Sequence, residues 1–455
     1  MSQTPDGETR PGGAGGSVRP GGSSGAPEDR RWGFRTRSIH AGARPDPTTG
    51  ARNVPIYQTT SFVFEDTKDA ADLFALQKYG HIYTRISNPT VSAFEERMAS
   101  LESGIGAVAS ASGQASEFLT VTALADSGDH ILASSALYGG TYNQFNITLR
   151  RLGIDATFVD GRDPDAFAKE VRPETRLVYT EIIGNPSGAV ADIAALAEMA
   201  HAHDLPLVVD NTFATPYLCR PIEHGADIVV HSATKYIAGN GTTIGGVTVE
   251  SGTFPWDSGR FPHMTEEIPS YKDLRWWGNF GEYAFCTKLR AEQLRDIGAA
   301  LAPFNAFMFL QGLETLPVRM DAHVRAAREV AGWLSEHPGV EWVRYAGLPD
   351  SPHHEMAKRY MPKGPGGAVF TFGVAGGREA GARFIESLSM ISHLANVGDV
   401  RTLVIHPAST THQQLSEQEL LATGVTPDMV RISIGLEDVD DILWDLDRAL
   451  GMASP

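Results

Sequence analysis

The sequence contains very little cysteine, with only Cys219 and Cys286 among 455 residues. The two lie far apart and form no CxxC pair, which excludes a disulfide framework and a cysteine-based zinc site. We expect two reduced, partly buried thiols, as in a protein of the cytoplasm.

Long apolar runs and an excess of basic residues are also missing. No run approaches the roughly 18 apolar residues that a membrane-spanning helix needs, and the N-terminus lacks the charged-then-apolar order of a secretory signal. Lys and Arg number 38 against 55 Asp and Glu, which gives a net charge of -17. We therefore expect a cytoplasmic protein with neither nucleic acid nor a membrane as its partner.

Metal-binding patterns are missing as well. The histidines do not form a tight cluster or an HExxH-like spacing, so we expect no metal site. The histidines considered are His353, His354, His406 and His412.

Residues 1–31 are a Gly-, Pro- and Ser-rich tract with almost nothing to bury, and we expect a disordered tail. The remaining chain is too long for one compact core, which favours two domains.

Short apolar runs alternate with helical stretches between residue 103 and about residue 249. Helix-period segments such as Ile193–His203 follow several of the runs. This order predicts an α/β fold with a mostly parallel sheet, in which ligands bind beyond the carboxyl ends of the strands. The predicted strands are Ala107–Ala109, His130–Ala133, Leu177–Tyr179, Leu207–Val209 and Ile228–Val230.

The pattern changes after about residue 305. A helical stretch at Val324–His337 precedes shorter strands at Glu341–Tyr345 and Ala368–Thr371. These elements predict a smaller α+β domain, and we place the joint near residue 300.

Two charged residues follow successive predicted strands. Lys235 lies in HSATKY, after Ile228–Val230, and Asp210 follows Leu207–Val209. Alone, Lys235 would more often be a solvated surface charge and Asp210 fits a helix N-cap equally well. Together they indicate a pyridoxal 5'-phosphate (PLP) site, in which the lysine holds the cofactor and the carboxylate keeps its ring nitrogen protonated.

A third signal is Ser112-Gly113-Gln114, which comes between a strand and a predicted helix ending near Ala125. Backbone N–H groups at a helix N-terminus bind anions, and glycine allows a phosphate to approach closely. A plain helix cap has the same appearance, so this signal gains weight only beside Lys235 and Asp210.

HSATKY, VVDNTFATPYLCRPIEHGADIVVHSATKY, YTRISNPT and LYGGTY together resemble motifs of the Cys/Met-metabolism family of PLP-dependent enzymes. The resemblance runs from about Thr36 to the C-terminus. It implies an aspartate-aminotransferase-like (fold type I) architecture and a homotetramer built from dimers with shared active sites. Accordingly, we expect residues 32–102 to contribute to the neighbouring subunit's site, residues 103–300 to bind PLP, and residues 301–455 to form the C-terminal domain.

The resemblance also implies roles for individual residues. Lys235 resembles the lysine that carries PLP as a Schiff base and moves protons, and Asp210 resembles the partner of the ring nitrogen. Tyr138, in LYGGT, resembles the catalytic aromatic residue that stacks on the ring, and Asn185 resembles the residue near the phenolic oxygen. The expected phosphate ligands are Ser112, Gly113, Gln114, Ser232 and Thr234 from one subunit, with Tyr83 and Arg85 from its neighbour.

Arg431 resembles the arginine that binds the α-carboxylate of the substrate, because a planar guanidinium meets a carboxylate with two parallel hydrogen bonds. Asn396, in ANVGD, occupies a position where many relatives have serine, and we expect it to orient the same carboxylate.

Within the family, PIYQTTSFVF and NVGDVRTLVIHPASTTHQQL most resemble enzymes of methionine biosynthesis that exchange the acetate of O-acetylhomoserine for sulfide, giving homocysteine. The resemblance places Gly140 where methionine γ-lyases have a cysteine. It places Arg401 where cystathionine-forming enzymes have a glutamate. Because that glutamate could bind the ammonium of cysteine, its replacement favours a small anionic nucleophile. O-Acetylserine is a plausible second substrate. The alternative is a cystathionine γ-synthase or a methionine or cystathionine γ-lyase.

Overall fold

The computed structural model describes residues 32–161, 163–410 and 426–453. The predicted N-terminal tail and His412 lie outside these ranges.

A seven-stranded sheet forms the centre of the larger part of the molecule. Its order is β1-β7-β6-β5-β4-β2-β3, and all neighbouring strands are parallel except β7, which runs antiparallel to β1 and β6. The predicted α/β class and mostly parallel sheet are therefore confirmed. The strands are β1 Gly106–Ser110, β2 His130–Ser134, β3 Asp155–Val159, β4 Thr175–Glu181, β5 Leu207–Asp210, β6 Ile228–Ser232 and β7 Gly246–Glu250.

Both faces of this sheet are buried. Along β5, Leu207 and Val209 pack into one hydrophobic cluster, whereas Val208 packs into another on the opposite face. Side chains of a strand alternate between the two faces of a sheet, so a continuous apolar run is what a doubly covered strand requires.

The larger part contains twelve short or medium α-helices within its described residues. They are α1 Phe34–His40, α2 Thr67–Phe74, α3 Pro89–Glu102, α4 Gly113–Leu124, α5 Gly139–Asn143, α6 Pro164–Lys169, α7 Ile193–His201, α8 Thr215–Leu218, α9 Pro262–Thr265, α10 Trp276–Phe280, α11 Ala284–Lys288 and α12 Arg295–Ile297. Two π-helical segments, Gln144–Leu149 and Leu289–Leu294, continue α5 and α11.

A second, five-stranded sheet follows in the order β10-β11-β12-β9-β8, with only β10 and β11 parallel. The long helix α13 precedes it and packs against β8, β9 and the earlier helices α1 and α3. The elements are α13 Pro303–Glu336, β8 Val340–Arg344, α14 His354–Tyr360, β9 Val369–Val374, α15 Gly377–Ser387, β10 Ser392–His393, β11 Leu403–Ile405, β12 Met429–Ser433 and α16 Val439–Ala453.

One hydrophobic cluster continues from the large sheet across α13 to the small sheet. The division of the chain at residues 102 and 300 stays a prediction, although α13 begins close to the second of these positions.

Within residues 32–161, 163–410 and 426–453, every helix is too short or too polar to cross a membrane. The same ranges hold no group of three or more His, Cys, Asp or Glu side chains arranged to bind a metal ion.

Candidate active site

The carboxyl ends of β4, β5 and β6 lie side by side. Glu181 pairs with Asp210 in the register of β4 and β5, and Asp210 pairs with Val230 on β6. The chain then turns, and the backbone N–H of Lys235 donates to the carbonyl of Ser232 at 3.2 Å. The sequence-predicted pair, Asp210 and Lys235, is thus brought to one edge of the sheet.

Lys235 faces the C-terminal sheet. Its Nζ donates to Oδ1 of Asn396 at 2.6 Å. Burial, followed by the positive charge of Arg431, lowers the pKa of Lys235 from 10.5 to about 8. Both effects disfavour the ammonium form, so about a tenth of Lys235 at pH 7 and about half at pH 8 is the neutral amine that a nucleophile or base must be.

Arg431 reaches the same place from β12. Its Nη1 donates to Oδ1 of Asn185 at 3.1 Å, and its Nη2 lies 3.3 Å from the carbonyl oxygen of Asn396. Among the described residues, no Asp or Glu side chain forms an ion pair with Arg431. A guanidinium held by neutral acceptors keeps its charge for a carboxylate ligand.

Asp210 lies in an acidic environment that was not predicted. Its Oδ1 accepts the N–H of Thr212 at 2.8 Å, and burial raises its pKa. Glu117 on α4 and Glu181 on β4 are both buried, and burial together with the charge of Asp210 raises the pKa of each well above 4.5. Glu181 ends a buried strand just as Asp210 does, and this position is the signal that could have revealed it.

Three of the predicted phosphate ligands, Ser112, Gly113 and Gln114, form the N-terminus of α4, and Ser232 lies against it. Ser112 caps the helix, since its Oγ accepts the N–H of Ala115 at 3.1 Å. Gly113 lies so close to β6 that an added Cβ would be 2.6 Å from Cβ of Ser232. Thr234 Oγ1 lies 3.2 Å from both backbone polar atoms of Gly245. Gln114 lies in the first turn of α4, and its backbone carbonyl accepts from Nε2 of Gln144 at 3.0 Å.

Tyr138 stands at the start of α5. Its N–H donates to Oε1 of Glu181 at 2.5 Å, and the residue is 49% exposed in the chain taken alone. A Cβ on Gly140 would lie 2.3 Å from Cε1 of that ring. Glycine is therefore the residue that permits this ring position.

Within the described residues, the side chains of Tyr83 and Arg85 form no hydrogen bond with the other predicted phosphate ligands. The guanidinium of Arg85 lies 5.5 Å from the centre of the Tyr83 ring and donates to the carbonyl of Arg295. Tyr83 is 42% exposed.

Arg401 has a partner that we did not anticipate. Its Nη1 donates to Oδ1 of Asp399 at 3.1 Å, and its side chain is 65% exposed. Arg401 therefore offers no carboxylate to the ammonium of cysteine, and its own charge is paired with Asp399.

Comparison with known proteins identifies the cofactor. A model of the Cys/Met metabolism PLP-dependent enzymes matches residues 35–451. The chain belongs to this family. It is a PLP-dependent enzyme, as the sequence motifs indicated.

Individual relatives match over nearly their whole length. An O-acetyl-L-homoserine sulfhydrylase of Leptospira meyeri is 49% identical over 94% of this chain and 98% of its own. O-Acetyl-L-homoserine sulfhydrylase 1 of Thermus thermophilus is 51% identical over 92% and 99%. A crystal structure from Campylobacter jejuni, named as an O-acetylhomoserine (thiol)-lyase, contains N'-pyridoxyl-lysine-5'-monophosphate. It superimposes with a TM-score of 0.89 at 37% identity, over 92% of this chain and all of that one, which confirms the fold.

The residues at the sheet edge fit PLP. Gly113 allows the N-terminus of α4, which favours a phosphate, to lie directly against Ser232 of β6. Lys235 has the lowered pKa that imine chemistry needs, and Asp210 is a half-buried carboxyl group suited to a protonated ring nitrogen.

Proposed function

We propose that the enzyme replaces the acetate of O-acetyl-L-homoserine by sulfide, giving L-homocysteine and acetate. The C–O bond at the γ-carbon breaks and a C–S bond forms there. The observation that carries this proposal is the near 50% identity to two O-acetyl-L-homoserine sulfhydrylases over at least 92% of this chain. We also propose that the same site forms cysteine from O-acetylserine as a side reaction.

Lys235 is proposed as the residue that attaches PLP and moves protons at the α-carbon. Its pKa of about 8 supplies a neutral amine at working pH, which supports the role. Bound PLP supplies an electron sink for the negative charge that develops when that proton leaves. Asp210 is proposed to keep the ring nitrogen protonated, Tyr138 to stack on the ring, and Asn185 to lie near its phenolic oxygen.

Arg431 and Asn396 are proposed to hold the substrate's α-carboxylate. The guanidinium of Arg431 has only neutral acceptors, Asn185 and the Asn396 carbonyl, among its described hydrogen-bond partners. Because Asn396 also accepts from Lys235 Nζ, the carboxylate clamp and the proton-moving amine share one neighbour. Fixing the carboxylate would therefore orient the α-proton toward Lys235.

The phosphate of PLP is proposed to bind at the start of α4, with two further ligands from a second copy of the chain. The ligands of the first group are Ser112, Gly113, Gln114, Ser232 and Thr234. Tyr83 and Arg85 are proposed to serve the neighbouring subunit in a homotetramer with shared active sites. Tyr83 is 42% exposed, and within the described residues the Arg85 guanidinium donates to the Arg295 carbonyl and to none of the other ligands, which supports this arrangement.

The choice of nucleophile tests the assignment. With O-acetylhomoserine saturating, kcat/KM for sulfide should exceed kcat/KM for cysteine by about tenfold or more. Cysteine brings an ammonium and a carboxylate, and leaving either unpaired after it loses water costs on the order of 1–3 kcal/mol. Homocysteine and cystathionine are measured separately.

A reaction without a nucleophile and a reaction with O-succinylhomoserine complete the comparison. Equal efficiency with cysteine would replace this proposal by a cystathionine γ-synthase. Rapid release of 2-oxobutanoate without a nucleophile would replace it by a γ-lyase.

A further inference from the structure

Three carboxyl groups converge where the proposed site needs only one. Asp210 ends β5, Glu181 ends the adjacent β4 at the paired position, and Glu117 lies on α4 above them. Glu117 and Glu181 are only 4% and 7% exposed. Each is close enough to Asp210 for the aspartate charge to raise its pKa.

No matching set of cations is present. Among the residues that the structure describes, no Lys or Arg side chain forms an ion pair with any of the three groups, and His231 is the only basic residue that lowers the pKa of Asp210. A different buried glutamate provides the contrast. Glu95 lies 2.8 Å from the guanidinium of Arg290. An ionised carboxylate in such surroundings normally has a partner of this kind.

We propose that Glu117 and Glu181 are neutral carboxylic acids in the folded enzyme and act as positioning residues, leaving Asp210 as the single anion that faces the cofactor's ring nitrogen. The inference rests on the role proposed for Asp210 above. One cationic ring nitrogen balances one carboxylate, whereas three carboxylates would leave two buried charges unpaired.

The hydrogen bonds of the two glutamates hold the walls of the site. They lower the pKa of each group, but burial raises it more. Glu181 accepts the N–H of Tyr138 through Oε1 at 2.5 Å, and also a backbone N–H of Asn185. Glu117 accepts from Thr141 Oγ1 at 3.1 Å, one turn beyond Tyr138. Both therefore hold α5, at whose start Tyr138 lies. An acceptor oxygen is sufficient for these hydrogen bonds, and a negative charge is not required.

Amide substitution separates an oxygen acceptor from a charge. Glu181→Gln keeps a carbonyl acceptor for Tyr138, so the dissociation constant for PLP should stay within about threefold of wild type. Glu181→Leu leaves the Tyr138 N–H unpaired and should weaken PLP binding about tenfold or more. Asp210→Asn is the matched control, because the same chemical change there removes the one proposed charge and should weaken binding strongly. A tenfold or larger loss in Glu181→Gln would overturn the inference.

Infrared spectroscopy tests the protonation directly on wild-type holoenzyme and apoprotein. Protein labelled with ¹³C at the glutamate carboxyl groups should show a shifted carbonyl stretch of a buried carboxylic acid. This band should lose intensity in Glu117→Gln and again in Glu181→Gln, with unchanged circular dichroism. If the two variants instead lost intensity in the carboxylate stretches, the glutamates would be ionised and the proposal would be wrong. The spectrum requires no substrate, so this result is independent of the sulfide assay.

Discussion

Lys235 and Arg431 are two basic side chains that share one neutral neighbour. Asn396 accepts from Lys235 through its side-chain oxygen and from Arg431 through its carbonyl oxygen. No carboxylate compensates this pair of charges among the described residues, so the lysine, which can lose its proton, is the group that becomes neutral. The sequence motifs predicted both residues. The contact that links them joins parts of the chain 161 residues apart and had no local signal.

Removing Arg431 should therefore slow cofactor capture. Wild-type apoprotein should bind PLP faster as pH rises through about 8, because the neutral amine of Lys235 then accumulates. In Arg431→Met the lysine loses a cationic neighbour, its pKa rises, and the midpoint of the rate profile moves to higher pH. At pH 7.5 capture should be severalfold slower, as measured by visible absorbance in stopped flow.

Arg359→Met offers a control, since Arg359 pairs with Asp192 at the surface. Its pH profile should match wild type. A midpoint in Arg431→Met at or below the wild-type value would disprove the proposed coupling.

At the scale of elements, α13 shows where sequence reasoning stops. The predicted helix covered Val324–His337, whereas the helix runs from Pro303 to Glu336. Gly312 and Pro317 normally weaken or break a helix. Here a tertiary contact outweighs that tendency. Arg319 donates to the Tyr236 and Gly312 carbonyls, both at 2.7 Å, and ties the helix to the turn after Lys235.

The strands of the seven-stranded sheet also differ in whether the sequence predicted them. Those with continuous apolar runs were predicted, because burial on both faces leaves a local pattern. β3, Asp155–Val159, is an edge strand with partly exposed residues. β7, Gly246–Glu250, is antiparallel, and its two valines alternate with glycine, threonine and glutamate. Neither has the signature of a central parallel strand, so both were missed.

Gly312 and Gly332 provide a matched pair within α13. A Cβ at Gly312 would lie 2.1 Å from the carbonyl oxygen of Ile237, whereas one at Gly332 meets nothing within 4 Å. Gly332→Ala should be neutral or stabilising by up to about 1 kcal/mol, from helix propensity alone. Gly312→Ala should destabilise by about 1–3 kcal/mol, since the contact is with backbone, and should lower kcat because the Lys235 turn must shift. Chemical unfolding and steady-state assays measure both effects. Similar behaviour of the two variants would refute this account of the helix contact.

For the whole molecule, the motifs predicted the family and the fold because they are long and occur in a fixed order. They did not reveal the carboxyl groups of Glu117 and Glu181, which belong to separate elements and meet only in the folded chain. The sequence motifs also imply an oligomer, and some exposed residues of the single chain bear on it. Val63 is fully exposed in one chain, and Tyr79 and Tyr83 nearby are also exposed. An exposed apolar and aromatic segment of this kind is expected at a protein interface.

Shared active sites can be tested by mixing two inactive chains. Arg85→Ala should bind PLP weakly and have low activity, and Lys235→Ala should lack nearly all turnover while its fold survives. If Arg85 serves the neighbouring subunit, a mixed dimer contains one site with an intact Lys235 from the first chain and an intact Arg85 from the second. In a dimer with two-fold symmetry, equal and random mixing should therefore restore about a quarter of wild-type activity.

Separate affinity tags on the two chains allow the mixed oligomers to be isolated and counted, and each variant renatured alone is the control. The Arg85 side chain contacts the Arg295 carbonyl within its own chain, so a purely local structural role is the competing explanation. If that explanation holds, every chain with an intact Lys235 is an Arg85→Ala chain and stays weakly active in the mixture. Activity no higher than the average of the two parents, in oligomers shown to be mixed, would therefore place the function of Arg85 within its own subunit.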